Sequence, residues 1–162
     1  MSVSVERIDA AYEQYGVELL SFATTLVGPG DAQDVVSNAL LRLLTSEVWE
    51  KARQPKSVLY KAVYFEGLSW LRATGRRRAR ESRWADMNTP AEQPELRFSP
   101  FADPEVTASL GALSAQQRAV IYLMYWRDLP IPEVADLLDV SEGSVRKQLA
   151  RAKEKLRKEI SR

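Results

Sequence analysis

LPIPEVADLLDVSEGSVRKQLARAKEKLRKEI, residues 129–160, decides the fold. Pro130 and Pro132 fall at or before the first turn of a short helix from Ile131 to Leu138, where a missing N–H is harmless. Ser141 is placed to cap a second helix, with Val140 and Val145 as a hydrophobic staple across its start. On a helical wheel Val145, Leu149, Ala152 and Leu156 point inward, and Val134 and Leu138 of the short helix meet them, with Ala135 at the close crossing. The opposite side carries Lys147, Ala150, Arg151 and Glu154, flanked by Ser144 and Arg146. Two helices joined by a turn of about four residues form a helix-turn-helix, and the outward mixture suits base edges and phosphates. A basic helix alone would more often be a solvated surface. The short first helix and the capped turn shift the balance to DNA binding by the second.

Working outward, LSAQQRAVIYLMYWRDLP at 113–130 has Ser114 and Gln117 in capping-box spacing before the apolar run Val120 to Trp126, which Asp128 and Pro130 stop. At the other end of the chain Val5, Ile8, Tyr12, Tyr15, Leu19, Phe22 and Leu26 alternate steps of three and four, and GPG at 28–30 ends that helix. Asp31 is expected to cap the next helix, with Asp34 in its first turn and Val36, Leu40, Leu43 and Leu44 on its apolar face. Ser46 to Ser57 reads as a loop or a frayed helix end. A third helix should begin after Pro55 and run through Val58, Leu59, Val63, Trp70 and Leu71 into an arginine cluster. Between Ala85 and Pro104 stand Pro90, Pro94, Pro100 and Pro104 with acids and few apolar residues, the composition of a tether. The expectation is an all-α chain of two small helical domains, a three-helix-type bundle at 1–84 and a helix-turn-helix domain at 105–162, joined by a flexible acidic linker at 85–104.

The net charge is only +1, but the charges are sorted. Residues 1–50 hold eight acids and two bases; Arg72, Arg76, Arg77, Arg78, Arg80 and Arg83 face only Glu81; and Arg146 to Arg162 holds eight bases against two acids. Two basic segments point to polyanion contact at two places. With no cysteine and no histidine, disulfides, thiolate zinc sites, cysteine nucleophiles and imidazole chemistry are excluded. No carboxylate is paired with a nucleophile, metal cluster or phosphate-cradling glycine loop, so no enzyme, metal or cofactor is expected. The opening residues MSVSVERIDAAYEQYG have no apolar core segment, which argues against a signal peptide or membrane insertion and for the cytoplasm.

These stretches resemble a known family. LPIPEVADLLDVSEGSVRKQLARAKEKLRKEI, with the segment before it, resembles region four of bacterial RNA polymerase sigma factors of the extracytoplasmic-function group in the sigma-70 family. DAQDVVSNALLRLL at 31–44 resembles the region-two helix that binds the polymerase clamp, and VLYKAVYFEGLSWLRATGRRR at 58–78 the helix facing the promoter. The resemblance implies a transcription initiation factor that docks on core RNA polymerase and reads promoter DNA at two elements. Ser141, Ser144, Arg146, Lys147, Gln148, Ala150 and Arg151 would meet the minus-thirty-five duplex. Lys61, Phe65, Arg72, Arg76 and Arg77 would take the minus-ten strand, with Phe65 on the wheel beside Lys61 and Ser69 and away from Leu59, Val63 and Trp70. Asp31, Asp34, Asn38, Leu41 and Arg42 would touch polymerase, and an anti-sigma protein would be a further partner.

The chain departs from the family at Ser37-Asn38, where a Gln-Glu pair is usual, at Phe65 and Ser69, at Asp139 in place of a turn glycine, and at Gln148 in place of an arginine. Trp49, Tyr60, Tyr64 and Trp70 are expected in the core more than on bases. Two other readings stay open on the residues: a free-standing helix-turn-helix regulator, and a sigma-like decoy that binds polymerase or a partner without opening promoters.

Overall fold

A computed structural model describes residues 2–85 and 109–161, which are helical apart from short joints and contain no strand. Residues 86–108, on which most of the expected linker falls, lie outside the described residues, as do the side chains of Arg78 and Arg83. Among the described residues no helix is long and apolar enough to cross a membrane.

Helix α1 spans Ser2–Val27 and buries Ile8, Ala11, Leu19, Phe22, Ala23 and Leu26. Val5 and Tyr12 belong to the expected apolar row but are about half exposed, while Ile8 and Ala11 between them are buried. Gly28 ends the helix at φ 90°, a left-handed backbone that glycine adopts without a Cβ clash, and its N–H returns to Thr24 O at 2.9 Å.

Helix α2 spans Ala32–Leu44. Asp31 stands at its N-cap position but makes no side-chain capping bond: its backbone is already near-helical, at φ −109° and ψ −10°, not in the extended form that turns a capping oxygen back onto the first turn. The expected loop after Thr45 contains one helical turn, α3 (Glu47–Glu50), capped by Ser46 Oγ accepting from Val48 N–H and pinned by the fully buried Trp49.

Helix α4, Pro55–Ala85, starts on a proline as read from the sequence and packs Leu59, Tyr60, Val63 and Tyr64 inward. It passes so close to α1 that a Cβ on Gly67 would lie 3.0 Å from Leu26 Cδ1. Helices α1, α2 and α4 are the three-helix bundle.

In the second half, α5 spans Ala115–Ile121 behind a complete capping box: Ser114 Oγ accepts from Gln117 N–H and Gln117 Oε1 accepts from Ser114 N–H. The helix then widens into a π-helical turn, Tyr122–Trp126, closed by Arg127 N–H to Tyr122 O at 3.1 Å. Helices α6 (Ile131–Leu138) and α7 (Glu142–Ile160) complete the helix-turn-helix.

The halves are packed on each other. One apolar core runs through both, and the Phe22 ring lies 5.1 Å from Tyr60 and 5.5 Å from Tyr122 of the second half. A smaller cluster of Leu110, Leu113, Ile121 and Ala152 stays within the second half.

Candidate nucleic-acid interface

The turn between α6 and α7 is built from backbone chemistry. Asp139 takes the left-handed conformation, φ 55° and ψ 48°, which lets its N–H and that of Val140 return to the last carbonyls of α6. Aspartate visits this region more easily than most residues, which is how the turn dispenses with glycine. Ser141 is extended and its Oγ accepts from Ser144 N–H at 3.0 Å, so the first turn of α7 is capped. Val134, Leu138 and Val145 are fully buried between the helices, with Leu149 partly so.

That packing leaves Arg146, Lys147, Ala150 and Arg151 exposed along α7, with Ser141 at its start exposed and Ser144 half-buried. Ala150 stands beside Lys147 and Arg151 on that face and adds little bulk to it. Arg146 shares its charge with Glu142, one turn earlier, at 3.6 Å. Gln148 is turned the other way. Its Oε1 accepts from Gln117 Nε2 at 3.2 Å, and Gln117 Oε1 in turn accepts from Lys155 Nζ at 3.1 Å. The capping glutamine of α5 therefore also braces the recognition helix, a second role that capping-box spacing alone does not reveal.

A second row runs along α4, exposed at Phe65, Arg72, Arg76 and Arg77. Lys61, Phe65, Arg72 and Arg76 follow steps of four, seven and four, one helix face, with Arg77 beside them. Phe65 is 48% exposed, held at its edge by the Tyr64 ring at 5.6 Å. Trp49, Tyr60 and Tyr64 are buried and Trp70 is half-buried, in keeping with the core reading. Lys61 is half-buried, and its Nζ faces Asp136 of α6 at 3.6 Å.

On α2 the residues Asp34, Asn38 and Leu41 share one exposed face, and Asp31 stands half-buried at its start. Arg42 is exposed too, but its Nε lies 3.1 Å from the buried Glu66 carboxylate, whose charge it balances within the bundle.

Comparison with known proteins agrees with this geometry. The chain is 31% identical over 150 residues to the RNA polymerase sigma-E factor of Streptomyces coelicolor, covering 88% of this chain and 79% of that protein. It belongs to the extracytoplasmic-function group of sigma-70 family sigma factors. It is an alternative sigma factor, a transcription initiation factor.

The sigma-E factor of Streptomyces antibioticus is 30% identical over 141 residues, covering 82% of this sigma factor and 72% of the relative. The family model described as sigma-70, region 4, matches residues 105–156, which contain α5, α6 and all but the end of α7. Among solved structures, the sigma factor RpoE of Bartonella quintana, crystallised with the anti-sigma factor NepR, superposes with a TM-score of 0.66 at 19% identity, over 96% of this chain and 98% of that one. CnrH in complex with the cytosolic domain of CnrY gives 0.62 at 20% identity, over 95% and 87%. These two likenesses concern the fold.

The sigma factor's α7 and α4 rows were legible from helical periodicity. Three residues that join the halves were not. Glu18, Arg118 and Arg127 carry charges that periodicity assigns to solvent, yet Arg118 is 4% exposed and donates to Thr25 O at 2.9 Å, Leu26 O at 2.8 Å and Leu113 O at 2.6 Å. Burial lowers its pKa to about 10, still far above neutrality, so it is a buried cation at working pH.

Proposed function

We propose that the two halves divide the work of a sigma factor. Residues 1–84 dock on core RNA polymerase through Asp31, Asp34, Asn38, Leu41 and Arg42 of the α2 region and take the minus-ten strand along α4. Exposed Phe65 offers a ring for an unstacked base, while Arg72, Arg76 and Arg77 offer charge to the backbone. Residues 105–162 take the minus-thirty-five duplex in the major groove through α7. Residues 85–104 tether the halves. The place of action is the cytoplasm, and an anti-sigma protein of the kind crystallised with RpoE is a further partner.

The observation that carries the reading is the α7 row itself: Lys147, Ala150 and Arg151 project together from a helix whose reverse side is anchored by Val145, Ala152 and the Gln117–Gln148 bond. Its test uses an upstream duplex selected by the chain bound to core polymerase. Arg151→Ala should weaken capture of that duplex about fivefold or more, since a bidentate arginine–base contact is worth about 1–3 kcal/mol. Capture of core polymerase should be unchanged. Loss of both in the same assay refutes the division of labour.

A further inference from the structure

Gln117, in the first turn of α5, is only 5% exposed, so the polar atoms of its side chain need partners inside the fold. Its Oε1 accepts from Ser114 N–H and from Lys155 Nζ, each at 3.1 Å. Its Nε2 donates to Gln148 Oε1 of α7 at 3.2 Å. An amide side chain can be turned end for end, and the groups around it decide which end is oxygen. Here they leave no choice. A main-chain N–H and an ammonium group only donate, so the end of Gln117 that they meet has to be the oxygen. The nitrogen is then the end directed at α7, and the end of Gln148 that it meets has to be an oxygen in turn. The cap of α5 thereby fixes the polarity of an amide on the recognition helix.

What Gln148 gives to α5 is its acceptor. Gln148 is half-buried, and its two N–H groups have no partner among the described residues and are open to solvent. It lies one turn from Ser144 on one side and from Arg151 on the other, at the edge of the α7 row. A free glutamine pairs with adenine by laying its oxygen against the N6 amino group and an N–H against N7. With the oxygen committed to Gln117, the side chain faces a base with donors alone. Guanine presents two neighbouring acceptors in the major groove, N7 and O6, whereas adenine presents an acceptor beside a donor.

We infer that Gln117 is a positioning residue for promoter specificity: by holding the Gln148 oxygen inward it makes Gln148 a donor-only contact that favours guanine over adenine at one base pair of the upstream element. The inference rests on the assignment of α7 to the minus-thirty-five duplex made above.

The test uses the full chain bound to core polymerase and a pool of duplexes randomised over the upstream element, with the bound fraction sequenced. Gln148→Ala should flatten the preference at one base pair, where the parent takes guanine over adenine about fivefold, the worth of one hydrogen bond. Gln117→Glu keeps an acceptor for Ser114 N–H and sets a carboxylate against Lys155, but it has no donor for Gln148. The Gln148 amide must then reverse to donate to that carboxylate, which frees its oxygen, and the preference at the same pair should swing to adenine. A purely structural role for Gln117 would weaken binding to all duplexes alike without exchanging one purine for the other. Thermal melts check the fold of both variants, and the parent and Gln148→Ala decide the donor-only contact by themselves. Adenine preferred by the parent at the pair that Gln148→Ala flattens overturns the inference. So does a Gln117→Glu variant that folds and keeps the parent's guanine, or a Gln148→Ala variant that alters no base preference while Arg151→Ala alters its own. If Arg151→Ala also alters none, the assignment of α7 to the duplex has failed, and the inference falls with it.

Discussion

Replacing Arg118 with methionine should cost the chain a large share of its stability. The substitution keeps an unbranched, apolar stem of similar reach and removes the guanidinium, which makes three hydrogen bonds to main-chain carbonyls. Two of these, on Thr25 and Leu26, belong to the last turn of α1, where no intrahelical N–H is available to them. A buried acceptor left without a donor costs about 1–3 kcal/mol, and three such acceptors would exceed about 3 kcal/mol even at the low end. Against this, the variant no longer keeps a cation out of water, a cost visible in the lowered pKa of Arg118. The net loss expected is about 3 kcal/mol, since no buried charge is left behind and the cost is that of the orphaned carbonyls. Since a domain of this size has about 5–15 kcal/mol in all, urea unfolding followed by circular dichroism will see it plainly. Arg118→Lys should recover little, because one ammonium cannot reach three divergent carbonyls as a planar fork does. A loss below about 1 kcal/mol for Arg118→Met, or full recovery by lysine, would refute the reasoning.

Two further outcomes follow from backbone and burial. Asp139→Gly should stabilise the chain by about 0.5 kcal/mol by relieving the left-handed backbone, while Asp139→Ala should destabilise it by about 1 kcal/mol; thermal melts that reverse this order would remove strain as the account of the turn. Burial raises the phenol pKa of Tyr60, Tyr64 and Tyr122, aided at Tyr60 by its bond to the Glu18 carboxylate, whereas burial lowers that of Arg118. The tyrosines' stabilisation is complete below their unfolded pKa of about 10 and is lost above it; Arg118 works in the opposite sense from about pH 10 upward. Three groups against one give falling stability above about pH 10, and Tyr60→Phe should flatten the slope there by about 1.4 kcal/mol per pH unit in urea titrations.

Where the sequence was readable, it was readable through local chemistry. The limits of α6, the cap at Ser141, the box at Ser114 and Gln117 and the proline start of α4 all depend on residues within one turn of the feature they define. The turn α3 was not readable because its cause is Trp49, whose burial is a tertiary event, in a stretch whose other residues favour solvent. Asp31 shows the reverse failure. The right residue type stands at the right place, but its backbone torsions forgo the extended form that capping requires. Nothing in YLMYW at 122–126 marks the widening to a π-helical turn.

The candidate site divides along the same line. Periodicity states which residues leave a helix on the same side, and that suffices for Lys147, Ala150 and Arg151, whose exposure depends only on α7 and its inner neighbours. It does not state what lies opposite. Lys61 and Phe65 share a row, yet Phe65 is exposed while Lys61 is engaged by Asp136, because the second half reaches one part of that row and not the other. Gln148 and Arg151 are three residues apart and both polar, yet Gln148 is spent on Gln117. A charge or amide near the edge of a helix face can serve solvent, a ligand or a neighbouring helix with the same local sequence around it. The decision is made by residues more than thirty positions away, as with Gln117 for Gln148, or more than ninety, as with Thr25 and Leu26 for Arg118. The residues that bind the halves together are therefore the ones a single-helix reading assigns to water.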